Sequence, residues 1–315
     1  MVAETSGIGA SAAAIQHHYD VGNGFYELWL DETLTYSCGL WLDAQDLRTA
    51  QDNKLDWHLS RCGDLRGARL LDVGCGWGSL LRRAVECYDV ESATGLSLSA
   101  AQVSRCNALG LHKARARLES WAEHQPESPY NAIVSIGAFE HFARLDQLPG
   151  QKLAAYRAFF EFCHRTLEEN GRLCLQTITY EDADRAKFSA FFAEEIFPES
   201  DLPHLEEIVT AARERFELVE LRMDRDDYAR TARVWLTRLR ACRAQAAARA
   251  SVQTVRTYET YLGLLVAGFH TGAMNLARMV MRRKVSRRGS CLRHGRRALP
   301  GDGQGVDAAP TDVCR

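Results

Sequence analysis

Leu70-Leu71-Asp72-Val73-Gly74-Cys75-Gly76-Trp77-Gly78-Ser79-Leu80 is the stretch whose reading decides the fold. An apolar run of strand length enters a turn with glycine at every second position and leaves it into a helix-length stretch, SLLRRAVECY. Three glycines let the backbone turn sharply and lie closer to a ligand than a Cβ would permit. The spacing G-x-G-x-G is one residue tighter than the dinucleotide fingerprint G-x-G-x-x-G, and no Walker Lys-Ser/Thr pair follows. The unit is a strand, a ligand-approaching turn and a helix.

Outward from this turn, β-rich runs alternate with helix-length stretches: ARLLDVG, SLLRRAVECY, VESATGLS, SAAQVSRCNALG, ARARLES and NAIVSIGAF. Strands separated by helices imply βαβ units and a parallel sheet. Leu153 to Leu167 has helical apolar spacing that Asn170-Gly171 should end, RLCLQTITY reads as the following strand, and FELVELRM at 216–223 as another. Asp182 to Ala212 is acidic and expected to be a helical insertion over one end of the sheet. Asp227 to Ala248 sets Tyr228, Trp235, Leu239 and Cys242 near one face of an amphipathic helix, and a second long helix is expected from Val255 to about Arg283. Residues 11–60 mix aromatics with turn residues and run into a polar helix-like stretch, Asp46 to Cys62, which makes them a helical lead-in. The expected domain is 1–284, followed by a basic tail, 285–315, that is expected to be disordered.

The composition agrees with a globular chain: 315 residues, 46% hydrophobic, 25% charged and only 7 Pro. Net charge is −2, but nine Lys/Arg against three Asp in the last 34 residues leave residues 1–281 at −8. An acidic body with a basic tail is not the composition of a nucleic-acid binder, although clustered Lys/Arg can attract anionic lipid headgroups. Ten Cys without a C-x-x-C pair, and no His at zinc spacing, argue against a disulfide framework or a metal site. MVAETSGIGASAAAIQHH has no basic region followed by an apolar stretch, and Tyr261 to Phe269 is far shorter than the about 20 residues of a membrane span, so the expected location is the cytoplasm. The oligomeric state is not legible.

The tight D-V-G-C-G-W-G turn resembles motif I of class I S-adenosylmethionine-dependent methyltransferases. Three further segments narrow the resemblance: Tyr19-Asp20-Val21-Gly22-Asn23-Gly24-Phe25-Tyr26-Glu27-Leu28-Trp29-Leu30-Asp31 with Thr35-Tyr36-Ser37-Cys38, then Ile136-Gly137-Ala138-Phe139-Glu140-His141-Phe142, then Tyr228-Ala229-Arg230-Thr231. Together these are similar to the cyclopropane-fatty-acid synthase family, which includes the mycolic acid cyclopropane synthases. The resemblance implies an α/β, Rossmann-like seven-stranded, mostly parallel sheet flanked by helices, with an N-terminal helical segment and a helical insertion forming a substrate lid. It implies an S-adenosyl-L-methionine site at Tyr36, Ser37, Gly74, Gly76, Gly78, Ser97, Gln102, Trp121 and Ile136. It also implies a bicarbonate at the reaction centre, held by Cys38, Glu140 and Tyr228. Three positions depart from the family pattern: Gln176 stands where a His is expected, Asp227 precedes Tyr228 in place of His, and Glu199-Ser200-Asp201 replaces a Gly-rich stretch.

The chemistry can also be read from the residues. The second strand closes on Thr94-Gly95-Leu96-Ser97 without an acid, so the amide of Gln102 is the candidate partner for ribose hydroxyls. A sulfonium methyl needs no metal, and an alkene is a weak nucleophile, so the protein must align the two and exclude water. The resulting carbocation can be stabilised by aromatic faces, for which Trp29, Tyr36, Phe139, Phe142 and Tyr228 are candidates, at least three of them expected simply to pack. Glu140, after an apolar strand, is the candidate base, with His141 as its neighbour or a second base. Cys38 is read as a ligand or wall, because no adjacent His or Lys would depress its pKa. The departures favour a small specialised alkene (prenyl, polyketide or indole) over unsaturated acyl chains on phospholipid or carrier protein. An inactive family member with a binding role is the remaining alternative, and the intact turn, Cys38, Glu140 and Tyr228 argue against it. Because an amide offers neither positive charge nor a proton relay, Gln176 leads to the expectation of a methylated alkene formed with little dependence on bicarbonate.

Overall fold

The computed structural model describes residues 9–19, 21–181, 196 and 199–285. Seven strands form one sheet in the order β3-β2-β1-β4-β5-β7-β6. They are β1 (Arg69–Val73), β2 (Ser92–Ser97), β3 (Ala114–Leu118), β4 (Tyr130–Ile136), β5 (Leu167–Tyr180), β6 (Phe216–Met223) and β7 (Met274–Arg283). The pairs β1–β2, β2–β3, β1–β4 and β4–β5 are parallel, whereas β7 lies antiparallel to both β5 and β6. This is the Rossmann-like, mostly parallel sheet expected.

The central strands are buried on both faces, which is why they read as near-continuous apolar runs. Helices α4 (Ser79–Cys87), α5 (Ala100–Asn107) and α6 (Pro149–Thr166) cross between them. The lead-in supplies α1 (Ala12–Tyr19), the single turn α2 (Asn23–Tyr26) and α3 (Leu47–Arg61), whose N-cap Asp46 accepts the Thr49 N–H. An aromatic cluster containing Phe25, Tyr26, Trp29 and Tyr36 packs this segment against the helices that follow β6.

Three expectations need correction. The stretch Val255 to Arg283 is not one helix: a helix over Val252–Thr271 ends at Gly272, whose φ of +83° is a left-handed cap, and Met274–Arg283 is β7. Its dense apolar residues fill a strand buried on both faces, a pattern that periodicity cannot tell from a buried helix. The Asp227 to Ala248 helix breaks at Cys242 into α8 (Arg225–Ala241) and α9 (Arg243–Arg249), which makes the preceding C-terminal helix α10; Tyr228, Trp235 and Leu239 do share its buried face. Asn170-Gly171 does not end a helix. It lies within β5, where the register with β4 jumps from Tyr130↔Leu167 to Ala132↔Arg172, a bulge that absorbs the extra residues.

Of the expected insertion, residues 182–195 lie outside the described residues, and a short helix, α7 (Leu205–Ala212), closes its end. The compact unit runs Met1–Lys284, and of residues 285–315 only Val285 is described. No helix among the described residues is long and apolar enough to cross a membrane. The eight described cysteines are free, Cys291 and Cys314 lie outside the described residues, and no described group of three or more His, Cys, Asp or Glu is placed to hold a metal ion.

Candidate active site

The glycine turn follows β1 and forms the floor of a cavity at the carboxyl ends of the parallel strands. Gly74, Gly76 and Gly78 have φ of +86°, +53° and +91°, a run of left-handed residues that other side chains rarely adopt. Gly74 and Cys75 donate their N–H groups to Leu96 O on β2, at 2.9 and 3.0 Å, which pins the turn to the sheet. A Cβ on Gly74 would stand 2.4 Å from that of Ala138, whereas one on Gly76 would meet no protein atom within 4 Å. Gly76 thus opens onto the cavity, whereas Gly74 is held against the protein. Ser79 and Leu80, at the start of α4, also line the cavity.

Of the expected cofactor residues, Tyr36, Ser37, Gly74, Gly76, Ser97, Gln102, Trp121 and Ile136 all line this cavity. Gly78 does not; its missing Cβ would lie 2.4 Å from Cys106 Sγ, so it serves the packing of the turn on α5. Gln102 Oε1 accepts a hydrogen bond from Ser97 Oγ at 2.8 Å, which orients the amide and leaves its N–H groups and one lone pair for a ligand. Trp121 is both wall and core, packed against Phe142, Phe159 and Phe162.

Several wall residues escaped the sequence reading. Lys54, on α3, is buried and donates to Ser37 Oγ at 2.9 Å, while Gln51 on the same face donates to the carbonyls of Thr35 and Ser37. Burial pulls Lys54 down to about 7. Asp72, at the end of β1, is pushed up to about 7 by burial, only partly offset by Lys54. Glu119 joins the wall from the end of β3. Gln51, Lys54 and His58 lie three and four residues apart on α3, a polar stripe that faces inward. That spacing was visible, but a polar helix reads as a solvated one unless its neighbours are known.

The expected catalytic residues divide. His141 lines the cavity and its Nδ1 lies 2.6 Å from Ser200 Oγ; desolvation lowers its pKa and keeps it neutral. Glu140, Cys38, Gln176 and Tyr228 do not touch the cavity wall. Glu140 sits on the 3₁₀ turn Phe139–His141 after β4, where its Oε1 accepts the Ile178 N–H at 2.7 Å. Its Oε2 is buried with no hydrogen-bond partner among the described residues, and burial pushes the carboxyl up to about 7, outweighing the Ile178 N–H and the Thr177 hydroxyl, which lower it. Burial also raises the Cys38 thiol to about 12 despite the neighbouring Arg278, which agrees with a wall and not a nucleophile. Tyr228 stacks on Phe269 with ring centroids 4.3 Å apart, in the same buried cluster as Cys38. Trp29 and Tyr36 belong to that cluster too, whereas Phe139 stacks on Tyr156 inside the core under α6 and does not face the cavity.

Gln176 does not stand alone. Arg278 Nε donates to its Oε1 at 2.9 Å, and His58 Nε2 lies 3.3 Å from the same oxygen. A positive charge and an imidazole thus reach this place from β7 and α3, although Gln176 itself offers neither. The other two departures also have local partners. Asp227 accepts the Trp41 N–H at 3.0 Å, and Asp201 pairs with buried Lys152 at 2.9 Å.

Comparison with known proteins gives one consistent result. The family model for mycolic acid cyclopropane synthetase matches residues 9–279. Cyclopropane mycolic acid synthase 1 of Mycobacterium tuberculosis (strain ATCC 25177 / H37Ra) is 36% identical over 283 residues, which cover 84% of this chain and 94% of the relative. Among solved structures, mycolic acid cyclopropane synthase CmaA1 complexed with SAH and CTAB superposes with a TM-score of 0.80 at 33% identity, covering 87% of this chain and 99% of that one. The cyclopropane synthase MmaA2 from Mycobacterium tuberculosis gives the same TM-score at 31% identity, with coverage of 87% and 99%.

Proposed function

This chain belongs to the mycolic acid cyclopropane synthetase family, and from that premise we propose that it is an S-adenosylmethionine-dependent enzyme that adds one carbon across the double bond of an unsaturated acyl chain. The observation that carries the reading is Glu140: a buried carboxyl pushed up to about 7, with one oxygen unpartnered among the described residues, beside a glycine cradle that a Cβ on Gly76 would enter.

The cofactor fits the cradle, and when bound it supplies an electrophilic methyl to the alkene as S-adenosylhomocysteine leaves. The turn and the start of α4 orient it, Lys54 and Gln51 hold the Thr35–Ser37 wall, and Trp121 closes one side. Tyr36, which lines the cavity, offers a ring face to the substrate cation, and Trp29 packs behind it and helps exclude water. Loss of a proton from the transferred methyl lets its electron pair form the second carbon–carbon bond and close the ring. Glu140 Oε2 is where this chain can take up that proton, since a carboxylate desolvated to about 7 is a stronger base than an exposed one. Bicarbonate would be held at the same corner by Glu140, Tyr228 and Cys38, its own O–H donating to Glu140 Oε2, which has no hydrogen-bond partner among the described residues; when bound it would supply a small base.

An acyl chain is favoured over a small specialised alkene for two reasons. The similar proteins are cyclopropane mycolic acid synthases along nearly their whole length. The three departures that suggested a specialised substrate are each absorbed by a neighbour, Arg278, the Trp41 N–H or Lys152, so none signals a reshaped substrate pocket. The test is product analysis after incubation with methyl-labelled S-adenosylmethionine and mono-unsaturated phospholipid or acyl carrier protein. A labelled cyclopropane without olefinic protons is expected. A methylated alkene, or turnover only with prenyl, polyketide or indole substrates, would overturn the reading.

A further inference from the structure

Arg278 is fully buried on β7, in a strand read from sequence as helix, and no step above uses it. A guanidinium cannot leave water without partners for its donors, so where those partners lie is informative. Nε donates to Gln176 Oε1, on the facing residue of β5; Nη1 pairs with Asp224; Nη2 donates to Gly39 O at 3.0 Å and lies 3.3 Å from Cys38 O and 3.5 Å from Cys38 Sγ.

These partners come from three separate segments, and each segment supplies one residue of the reaction centre. The Cys38-Gly39 loop brings the thiol, and β5 brings Gln176 and the Ile178 N–H that holds Glu140. Asp224 heads α8, and its carbonyl accepts the Tyr228 N–H at 3.2 Å. We propose that Arg278 is a positioning residue, a single planar fork that holds the Cys38 loop, β5 and the start of α8 in mutual register around the reacting carbon. The role rests on the reaction centre proposed above and extends it to a residue outside all of its motifs. Planarity is the essential property: lysine keeps the charge but cannot reach three directions at fixed angles.

The test compares the full-length protein with Arg278→Lys and with the charge-neutral pair Arg278→Gln/Asp224→Asn, which leaves no uncompensated buried charge if the lysine variant fails to fold. Arg278 does not line the cofactor cavity, and Gln51 and Lys54 hold the Thr35–Ser37 wall without it, so S-adenosylhomocysteine affinity should stay within about twofold while kcat falls roughly tenfold to a hundredfold, the scale of a small misplacement. The share of methylated alkene among the products should rise. Alkylation of Cys38 by iodoacetamide, followed by peptide mass spectrometry, reads the loop without any turnover. It should become several-fold faster in the variants, with buried Cys163 unchanged as the internal control. Unchanged Cys38 alkylation in a folded variant would overturn the proposal, as would loss of cofactor affinity in parallel with kcat, the mark of a merely structural arginine. Faster alkylation with no cyclopropane formed by the unmodified enzyme would sustain the positioning role and sink the acyl-chain reading instead.

Discussion

The cofactor cavity and the reaction centre share the carboxyl ends of the same strands, yet they are built by different rules. The floor of the cavity is made of main chain: a turn with three left-handed glycines, pinned by two N–H groups to β2, beside the start of a helix. The proposed reaction centre is made of the side chains of Cys38, Glu140, Gln176 and Tyr228, with Arg278 behind them, all of them buried. A main-chain site is sensitive to added bulk and indifferent to charge. A buried side-chain site is sensitive to every donor and acceptor, and it shifts the pKa of the groups it holds.

The largest expected effect breaks the first half. Gly76→Val should abolish binding of S-adenosylhomocysteine, because its Cβ points where no protein atom lies within 4 Å, while the sheet stays folded. Gly74→Val should cost stability as well, since its Cβ would collide with Ala138. Calorimetric titration with parallel melting curves checks both, and unchanged affinity in Gly76→Val would reduce the turn to a structural feature.

Glu140→Gln breaks the second half. Turnover should fall about a hundredfold or more with cofactor affinity intact, the scale of a lost acid–base group. In the unmodified enzyme kcat should rise with pH through about 7 as Glu140 ionises, and this limb should vanish in the variant. Stability should run the other way. The folded carboxyl, at about 7 against an ordinary 4.5, keeps a proton that the unfolded chain releases, so its contribution is present at low pH and is lost as pH climbs through that window. Denaturant melts from pH 4 to 8 on both proteins measure the difference.

Lys54→Met sharpens the comparison, because it removes a side-chain prop from a main-chain site. Loss of the bond to Ser37 Oγ should weaken cofactor binding about tenfold, as expected for one charged hydrogen bond, with little change in kcat at saturation. A drop in kcat without a change in affinity would place Lys54 with the reaction centre instead. The smallest effect is expected from deleting residues 285–315, outside the unit Met1–Lys284: no change in melting temperature or cofactor affinity. Co-sedimentation with anionic liposomes tests whether those basic residues bind a lipid surface, and equal binding with and without them would dismiss that use.

The amino-acid sequence by itself determined what is local. The strand, glycine turn and helix at 70–80 are contiguous, so backbone conformation and residue type carry the cradle within eleven positions, and the alternation of strands with helices carries the parallel half of the sheet. The identity of Gly76, Ser97, Gln102 and Trp121 as cavity residues was legible for the same reason. Only the tertiary structure decided the antiparallel strand Met274–Arg283, because a strand buried on both faces has no periodicity to separate it from a buried helix. With that strand came Arg278, which lies 240 residues from Cys38 and 102 from Gln176 in the chain yet touches both. Lys54 and His58 looked like the solvated face of a polar helix until the loop at Ser37 and the amide of Gln176 were set against them. A buried polar group is defined by its partners, and those partners are chosen by the packing of distant segments and not by its neighbours in sequence.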